Sequence, residues 1–277
     1  MDRDRLTITL RKDILSRLDS LIDGVTLRNR SHAIESILEK SLMPQVTQAV
    51  ILAGGVGINM RPFTYEIPKA LIPVHGKPLV EYIIEQLRDA GIRSVVMATG
   101  HLGDKIIDHF GNGSKYGVTI HYSQEQKQLG TGGALRNARS LLKMEPMLVL
   151  HGDVLAEIDI KHLVAFHQEQ HMVGTLALST SADTSEFGTV LLRGSTIVDF
   201  VEKPQHGQET SLLVNTGIYV FEPEIFSYLT SQGALMLEDL FPTLAKEGKL
   251  AGFPFEGRWV DVSTPKSYEK AIAIWGK

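Results

Sequence analysis

The chain has no cysteine. Disulfides, thiolate metal centres and cysteine nucleophiles are therefore excluded, and a reducing, cytoplasmic setting is the expected one. Long hydrophobic runs are also missing: the opening Met1-Asp2-Arg3-Asp4-Arg5 is charged and no apolar run of membrane-spanning length follows it. Neither a signal peptide, a transmembrane span nor a membrane partner is expected. A strong excess of one charge is lacking too. The formal net charge of −4 gives no global attraction to nucleic acid, so any such activity has to come from a local patch. No internal repeat or low-complexity tract appears. What remains is 277 residues, 43% hydrophobic and 22% charged, enough for a full α/β core and a small extra module.

The most informative stretch runs from Val50 to Pro78. A strand, Val50-Ile51-Leu52, leads into a turn holding Gly54, Gly55 and Gly57, and glycines there let main-chain N–H groups come close to an anion. On physical grounds this is a phosphate-binding loop. There is no G-x-x-x-x-G-K-[ST], and Gly55-Val56-Gly57 lacks the third glycine of a dinucleotide fingerprint. With Arg61-Pro62, Thr64, Pro68-Lys69, Leu71, Pro73-Val74 and Gly76-Lys77-Pro78, the loop resembles the signature of sugar-1-phosphate nucleotidyltransferases. One position departs from that pattern: where the family usually has arginine, two residues after the third glycine, this chain has Asn59.

From Gln48 onward, strands and helices alternate as in an α/β fold with a doubly wound, mainly parallel mixed sheet. Strands are expected at 49–53, 94–99, 118–123 and 147–150, with helices at 79–90, 104–110 and 134–142 between them. After Asp153 the pattern changes to strands at 174–180, 189–192, 197–201 and 213–221 with short connections, an antiparallel insertion expected to build a sugar pocket. Helices at 223–229, 237–247 and 265–274 close this domain, 48–277. The chain ends soon after the last of them, so the β-helix acyltransferase domain attached to some relatives is not expected.

Residues 1–44, ending at the Met43-Pro44 step, read as a separate module. Leu6, Ile8 and Leu10 alternate with Arg5, Thr7 and Thr9, the period of a strand with one apolar face. Ile14, Leu15, Leu18, Leu21 and Ile22 form the stripe of an amphipathic helix, and a second helix opens at Ser31 as N-cap with Ile34, Ile37, Leu38 and Leu42 on its apolar face. One strand and two short helices cannot make a core alone. The order resembles the ribbon-helix-helix family, which implies a homodimer through residues 5–42 and double-stranded DNA as a partner, with Arg5, Thr7 and Thr9 at base edges. Interspersed Asp2, Asp4, Asp13, Asp19 and Asp23 keep the module from being basic, so assembly without DNA binding stays open beside it.

The resemblance of 48–277 implies transfer of a nucleotidyl group from a nucleoside triphosphate to a sugar-1-phosphate, releasing pyrophosphate. Little covalent chemistry falls to such a protein, which has to align the reactants and neutralise developing charge with Mg²⁺ and basic side chains. Asp153 follows the apolar strand Leu148-Val149-Leu150, where open α/β sheets bind ligands. Asp261 lies in Trp259-Val260-Asp261-Val262-Ser263-Thr264-Pro265, which resembles the family's tryptophan–aspartate–glycine–threonine–proline region with Ser263 in the glycine position. By resemblance these two carboxylates hold Mg²⁺, Lys69 meets the nucleotide phosphates, and Lys203 holds the sugar phosphate. Glu202, Gly188 and Asn215 are implied to complete the sugar pocket. Nucleotide binding is implied for Leu52, Ala53, Gly54, Gly55, Gly57, Asn59, Arg61, Gln124, Gly130 and Thr131, with the Gln124-Glu125 pair and the 129–134 run at the base. A glycine-rich turn opening a helix is also a candidate phosphate cradle, so Gly130-Thr131-Gly132-Gly133 has two readings. The run is nearest to guanylyltransferases for mannose- and heptose-1-phosphates, which favours GTP. A transcriptional regulator that uses the nucleotidyltransferase domain as a sensor is the alternative from another class.

Overall fold

The computed structural model describes residues 7–42, 46–205, 211–230 and 233–275. The chain divides into two compact units, Met1–Pro44 and Gln45–Lys277. No helix among the described residues is long and apolar enough to cross a membrane.

The larger unit is built on one nine-stranded sheet. Its strands are β1 (Gln48–Ala53), β2 (Ser94–Thr99), β3 (Thr119–Gln124), β4 (Met147–His151), β5 (Gly174–Thr180), β6 (Gly188–Arg193), β7 (Thr196–Glu202), β8 (Leu213–Phe221) and β9 (Leu250–Pro254). They lie in the order β3-β2-β1-β4-β8-β5-β9-β7-β6. β1 pairs in parallel with β2 and β4, and β2 with β3. β8 runs antiparallel to β4 and β5, and β7 antiparallel to β6 and β9, while β9 is parallel to β5. The antiparallel insertion expected after Asp153 thus continues the same sheet.

The period of two along each strand divides the core. Ala49, Ile51, Val95, Met97, Leu148 and Leu150 face the helix Leu79–Ala90, whose Val80, Ile83, Ile84 and Leu87 cover them. Val50, Val96 and Val149 face the other way and pack with Leu135 and Ala138 of the helix Gly130–Ala138. Strands buried on both faces are why β1, β2 and β4 read as continuous apolar runs. The chain goes from β1 outward to β2 and β3, then returns to β4 on the other side of β1. That reversal leaves a crevice beyond the carboxyl ends of β1 and β4.

Several boundaries differ from the sequence reading. The helix expected at 134–142 begins at Gly130 and ends in a 3₁₀ turn, Arg139–Leu141. Residues Pro223–Ser227 form a 3₁₀ turn, and the helix of the 237–247 region is limited to Phe241–Lys246. Pro242 accounts for the later start, since proline suits only a first helical turn. The helix Ile160–Gln170, capped by the Asp159 side chain accepting from the His162 N–H, was not expected from the pattern. Nor were β9 and a small antiparallel ribbon between Val154–Ala156 and Trp259–Asp261.

In the smaller unit, helices Lys12–Ser20 and Arg30–Leu42 pack on one another with Leu18 and Ala33 buried. The Arg30 guanidinium donates to both carboxylate oxygens of Asp19 at 2.7 and 2.8 Å. Asn29, not Ser31, caps the second helix: its Oδ1 accepts the His32 N–H at 3.0 Å. Residues 7–10 form no strand, and Arg5 and Leu6 lie outside the described residues.

Candidate active site

The carboxyl ends of β1 and β4 are tied by the Gly152 N–H, which donates to Leu52 O at 2.9 Å. Between them opens a cleft of about 430 Å³, within the size range of small-ligand sites. Leu52, Ala53, Gly54, Gly55, Gly57, Lys69, Gly130, Thr131 and Asp153 line it, together with Glu125, Gln128, His151 and Met236.

The glycine loop forms one wall. Gly57 has φ of 65°, its carbonyl accepts the Thr64 hydroxyl at 2.7 Å and the Met60 N–H at 2.9 Å, and a Cβ there would lie 2.8 Å from Thr64 Cγ2. Only glycine fits that position without displacing Thr64. The N–H groups of Gly55, Val56 and Gly57 meet no acceptor among the described residues, so they remain available to an anion.

The opposite wall is the Gly130 turn. Gly130 has φ of 74°, and a Cβ there would meet Leu235 O at 2.5 Å. The Gly132 and Gly133 N–H groups donate to the same Leu235 carbonyl at 2.9 and 3.0 Å. Those two donors are committed to Leu235.

The floor carries the charge. The ribbon register sets Asp261 opposite Val154, and the Val262 N–H donates to Asp153 O at 2.9 Å, so the two carboxylates share one corner. Lys69, in the 3₁₀ turn Lys69–Leu71, pairs through Nζ with Asp153 Oδ2. Burial disfavours charge on Asp153, but Lys69 outweighs it and holds the carboxyl below its ordinary range. Burial likewise opposes the Lys69 ammonium, and the charges of Asp153 and Asp261 more than offset it, raising its pKa. Asp261 moves upward, first through burial and then through the Asp153 charge.

Asp261 Oδ1 is buried with no hydrogen-bond partner among the described residues. A buried carboxylate oxygen of this kind calls for a ligand. No group of three or more His, Asp or Glu side chains that could hold a metal occurs among the described residues. Two carboxylates suit Mg²⁺, which keeps several waters and takes further oxygens from phosphates.

The residues expected to form a sugar pocket do not line the cleft. Gly188 on β6 is opposite Glu202 on β7, and the Lys203 N–H donates to Phe187 O at 3.1 Å. Phe187 stacks edge-on against Trp259 at 4.9 Å, and Trp259 Nε1 donates to Thr216 O at 3.2 Å. Lys203 has a positive φ of 45° and a side chain 63% exposed. Burial raises the Glu202 pKa, with the Glu238 charge adding to it. Asn215 is 8% exposed and donates to the Tyr219 hydroxyl at 2.9 Å.

Asp261 adjoins Asp153 without lining the cleft, and three expected nucleotide-binding residues stand apart from it. Gln124 is exposed and donates to Asp104 Oδ1 at 3.3 Å, whereas its neighbour Glu125 lines the cleft. Asn59 is exposed on the 3₁₀ turn Ile58–Met60, and the Arg61 guanidinium carbon lies 4.9 Å from the Tyr65 ring centroid. Sequence reasoning missed His151, Gln128 and Glu238. His151 had a signal: it stands two residues before Asp153 at the end of β4, where side chains alternate.

Residues 48–275 match the family described as Nucleotidyl transferase. The chain belongs to the nucleotidyl transferase family. Over 233 residues it is 32% identical to the mannose-1-phosphate guanylyltransferase catalytic subunit beta of Drosophila pseudoobscura pseudoobscura, covering 83% of this chain and 62% of that protein. It is also 32% identical to a mannose-1-phosphate guanyltransferase of Saccharomyces cerevisiae, over 82% of this chain and 64% of the relative. The chain thus spans somewhat under two thirds of the length of these relatives. Among solved structures, a Bacillus anthracis protein assigned as a glucose-1-phosphate thymidylyltransferase, in complex with a sucrose, superposes with a TM-score of 0.76 at 28% identity, over 82% of this chain and 94% of that one. A UDP-glucose pyrophosphorylase complexed with UDP-glucose gives 0.75 at 24% identity over 83% and 98%, a likeness of fold.

Proposed function

We propose that the chain is a Mg²⁺-dependent nucleotidyltransferase that joins a nucleoside triphosphate, GTP by preference, to a sugar-1-phosphate. The observation that carries the reading is the Asp153–Lys69 pair lining a cleft walled by free loop N–H groups, with Asp261 and its unpartnered oxygen beside Asp153. In the reaction an oxygen of the sugar phosphate attacks the α-phosphorus, the bond to the β-phosphate oxygen breaks, and pyrophosphate leaves. Asp153 and Asp261 are the residues that would hold Mg²⁺, which supplies positive charge against the phosphate oxygens when bound. The Gly55–Gly57 main chain cradles the phosphates, and Lys69 offers them its ammonium. Leu52, Ala53 and Gly54 with Gly130 and Thr131 accept the flat base, and the mannose-1-phosphate guanylyltransferase relatives support guanine there. Glu202 and Asn215 meet sugar hydroxyls beside Gly188, and Lys203 turns inward to the sugar phosphate. Asn59 weakens catalysis in this reading, because an amide lacks the charge and the two-pronged donor geometry of arginine. Gln124 and Arg61 act at the rim.

The test is pyrophosphate release from a panel of nucleoside triphosphates and aldose 1-phosphates with Mg²⁺. Turnover of a GTP pair above the other bases is expected. No turnover of any pair, by the wild type or by Asn59→Arg, overturns the proposal.

For residues 1–44 we propose homodimerisation. Ile8, Ile14, Leu21, Ile37 and Leu38 are all exposed large apolar residues in a unit that buries only Leu18 and Ala33 among its described apolar residues. Thr7 and Thr9 are exposed as well, which serves a DNA groove or solvent equally, so assembly is the role supported. Sedimentation should show a dimer that becomes a monomer when residues 1–44 are deleted.

A further inference from the structure

One buried carboxylate of the larger unit plays no part in the mechanism above. Glu238 is 7% exposed, and a carboxylate so placed is costly unless hydrogen-bonded. Its Oε2 accepts the Thr131 hydroxyl at 2.9 Å, and its Oε1 accepts the Tyr219 hydroxyl at 3.3 Å. His151 Nε2 lies 3.7 Å from Oε1. Thr131 and His151 both line the cleft, whereas Tyr219 is fully buried beneath it.

The directions of these bonds matter. Both hydroxyls donate to the Glu238 carboxylate. Thr131, its proton committed, accepts the Leu237 N–H at 2.8 Å. Tyr219, its proton committed, can only accept from Asn215, which therefore presents Nδ2 at 2.9 Å and leaves Oδ1 to accept the Gly217 N–H at 3.2 Å. Glu238 thus sets the amide orientation of a residue on the sugar side and the hydroxyl orientation of a residue on the base side. A chain of bonds that all run toward one charge is stiffer than its members taken alone.

We propose that Glu238 is a positioning residue that couples the base side of the cleft to its sugar side, an inference that rests on the nucleotidyl-transfer reading. Glu238 itself does not line the cleft. It fixes Thr131 and Asn215 in one mutually consistent pattern, so that a disturbance on either side is felt on the other.

The experiment compares wild type with Glu238→Gln and Tyr219→Phe. KM for GTP and for mannose 1-phosphate is measured with thermal melting, and Kd for each ligand alone by calorimetry. Glu238→Gln keeps the shape but exchanges one acceptor for a donor. Both KM values should rise about tenfold, the scale of one charged hydrogen bond, with a melting temperature near wild type. Tyr219→Phe alters no residue of the cleft wall, yet it should raise the KM for GTP several-fold by releasing one arm of Glu238. Unchanged KM values in both variants, or a loss confined to melting temperature, overturn the inference. If neither wild type nor Asn59→Arg turns over any pair, the nucleotidyl-transfer reading fails by itself, and the calorimetric Kd values in the same variants decide the role of Glu238. Absence of measurable binding of both ligands to wild type overturns the two together.

Discussion

Lys69→Met removes the ammonium paired with Asp153 while keeping a side chain of similar length. The Lys69 and Asp153 side chains retain 16% and 23% of their exposure, so solvent screens the pair only slightly. Breaking such a pair by deleting one partner costs about 3–5 kcal/mol, and the residual exposure places this site near ~3 kcal/mol. For a domain of this size each kcal/mol shifts Tm by about 2–4 °C, which gives a fall of roughly 6–12 °C. The assay is differential scanning calorimetry in chelator and again in millimolar Mg²⁺. In chelator the full loss should appear, because Asp153 and Asp261 are left facing each other. In Mg²⁺ part of it should return, since a divalent cation takes over the neutralising role of the ammonium. A Lys69→Met protein that melts within about 1 °C of wild type in chelator would refute the argument that Lys69 holds the two carboxylates together.

Three further outcomes follow from named contacts. Asn59→Arg should raise kcat about tenfold or more by restoring a planar cation to the phosphate loop, and steady-state kinetics showing an unchanged or lower rate would contradict it. Gly130→Ala forces an L-residue to φ of 74° with Cβ 2.5 Å from Leu235 O; the backbone strain alone is about 1–2 kcal/mol, and GTP affinity should fall when titrated by calorimetry. Asp23 Oδ1 accepts the N–H groups of Val25, Thr26 and Leu27 at 2.7–2.9 Å, which hold its carboxyl down to about 2. A lowered native pKa means stabilisation that is present above about pH 4 and lost as pH falls toward 2, so the protection of those three amides, taken relative to their intrinsic exchange rates at each pH, should fall over that interval and stay constant between pH 5 and 8.

How much of this was legible beforehand depends on where each signal sits in the chain. β1, β2 and β4 are buried on both faces, and their apolar runs announce them without help from tertiary context. Helix Leu79–Ala90 shows its stripe in sequence and ends at Gly91, so both its bounds are readable. The helix Ile160–Gln170 was hidden because its buried face includes a polar residue, His167, whose Nδ1 pairs with the Thr175 hydroxyl at 2.8 Å. β9 was hidden because its place between β5 and β7 is a property of the sheet order. Within the site, Gly57 was named from the glycine loop itself, Asp153 from its place after an apolar strand, and Lys69 and Gly130 from the family resemblance; all four line one cleft. Asp261 was named as well, but its closeness to Asp153 comes from a ribbon joining residues a hundred positions apart. Gln124 shows the limit of spacing: the neighbouring Glu125 is the residue at the cleft, because β3 ends at Gln124 and the next main-chain step turns inward through the Glu125 N–H bond to Thr99 O at 2.8 Å. Glu238 had no local signal, since its partners Thr131 and Tyr219 lie 107 and 19 residues away.

The central claim is that the Asp153–Lys69–Asp261 corner carries out nucleotidyl transfer. Phosphorus NMR of the full chain with GTP, mannose 1-phosphate and Mg²⁺ tests it most directly. The account predicts that triphosphate signals give way to those of a sugar diphosphate ester and pyrophosphate, and that Asp261→Asn, folded by its melting curve, slows this at least a hundredfold, on the order of losing a charge-stabilising group. Product formation at the wild-type rate by Asp261→Asn, or hydrolysis of GTP to GDP and phosphate without the sugar ester, would contradict it.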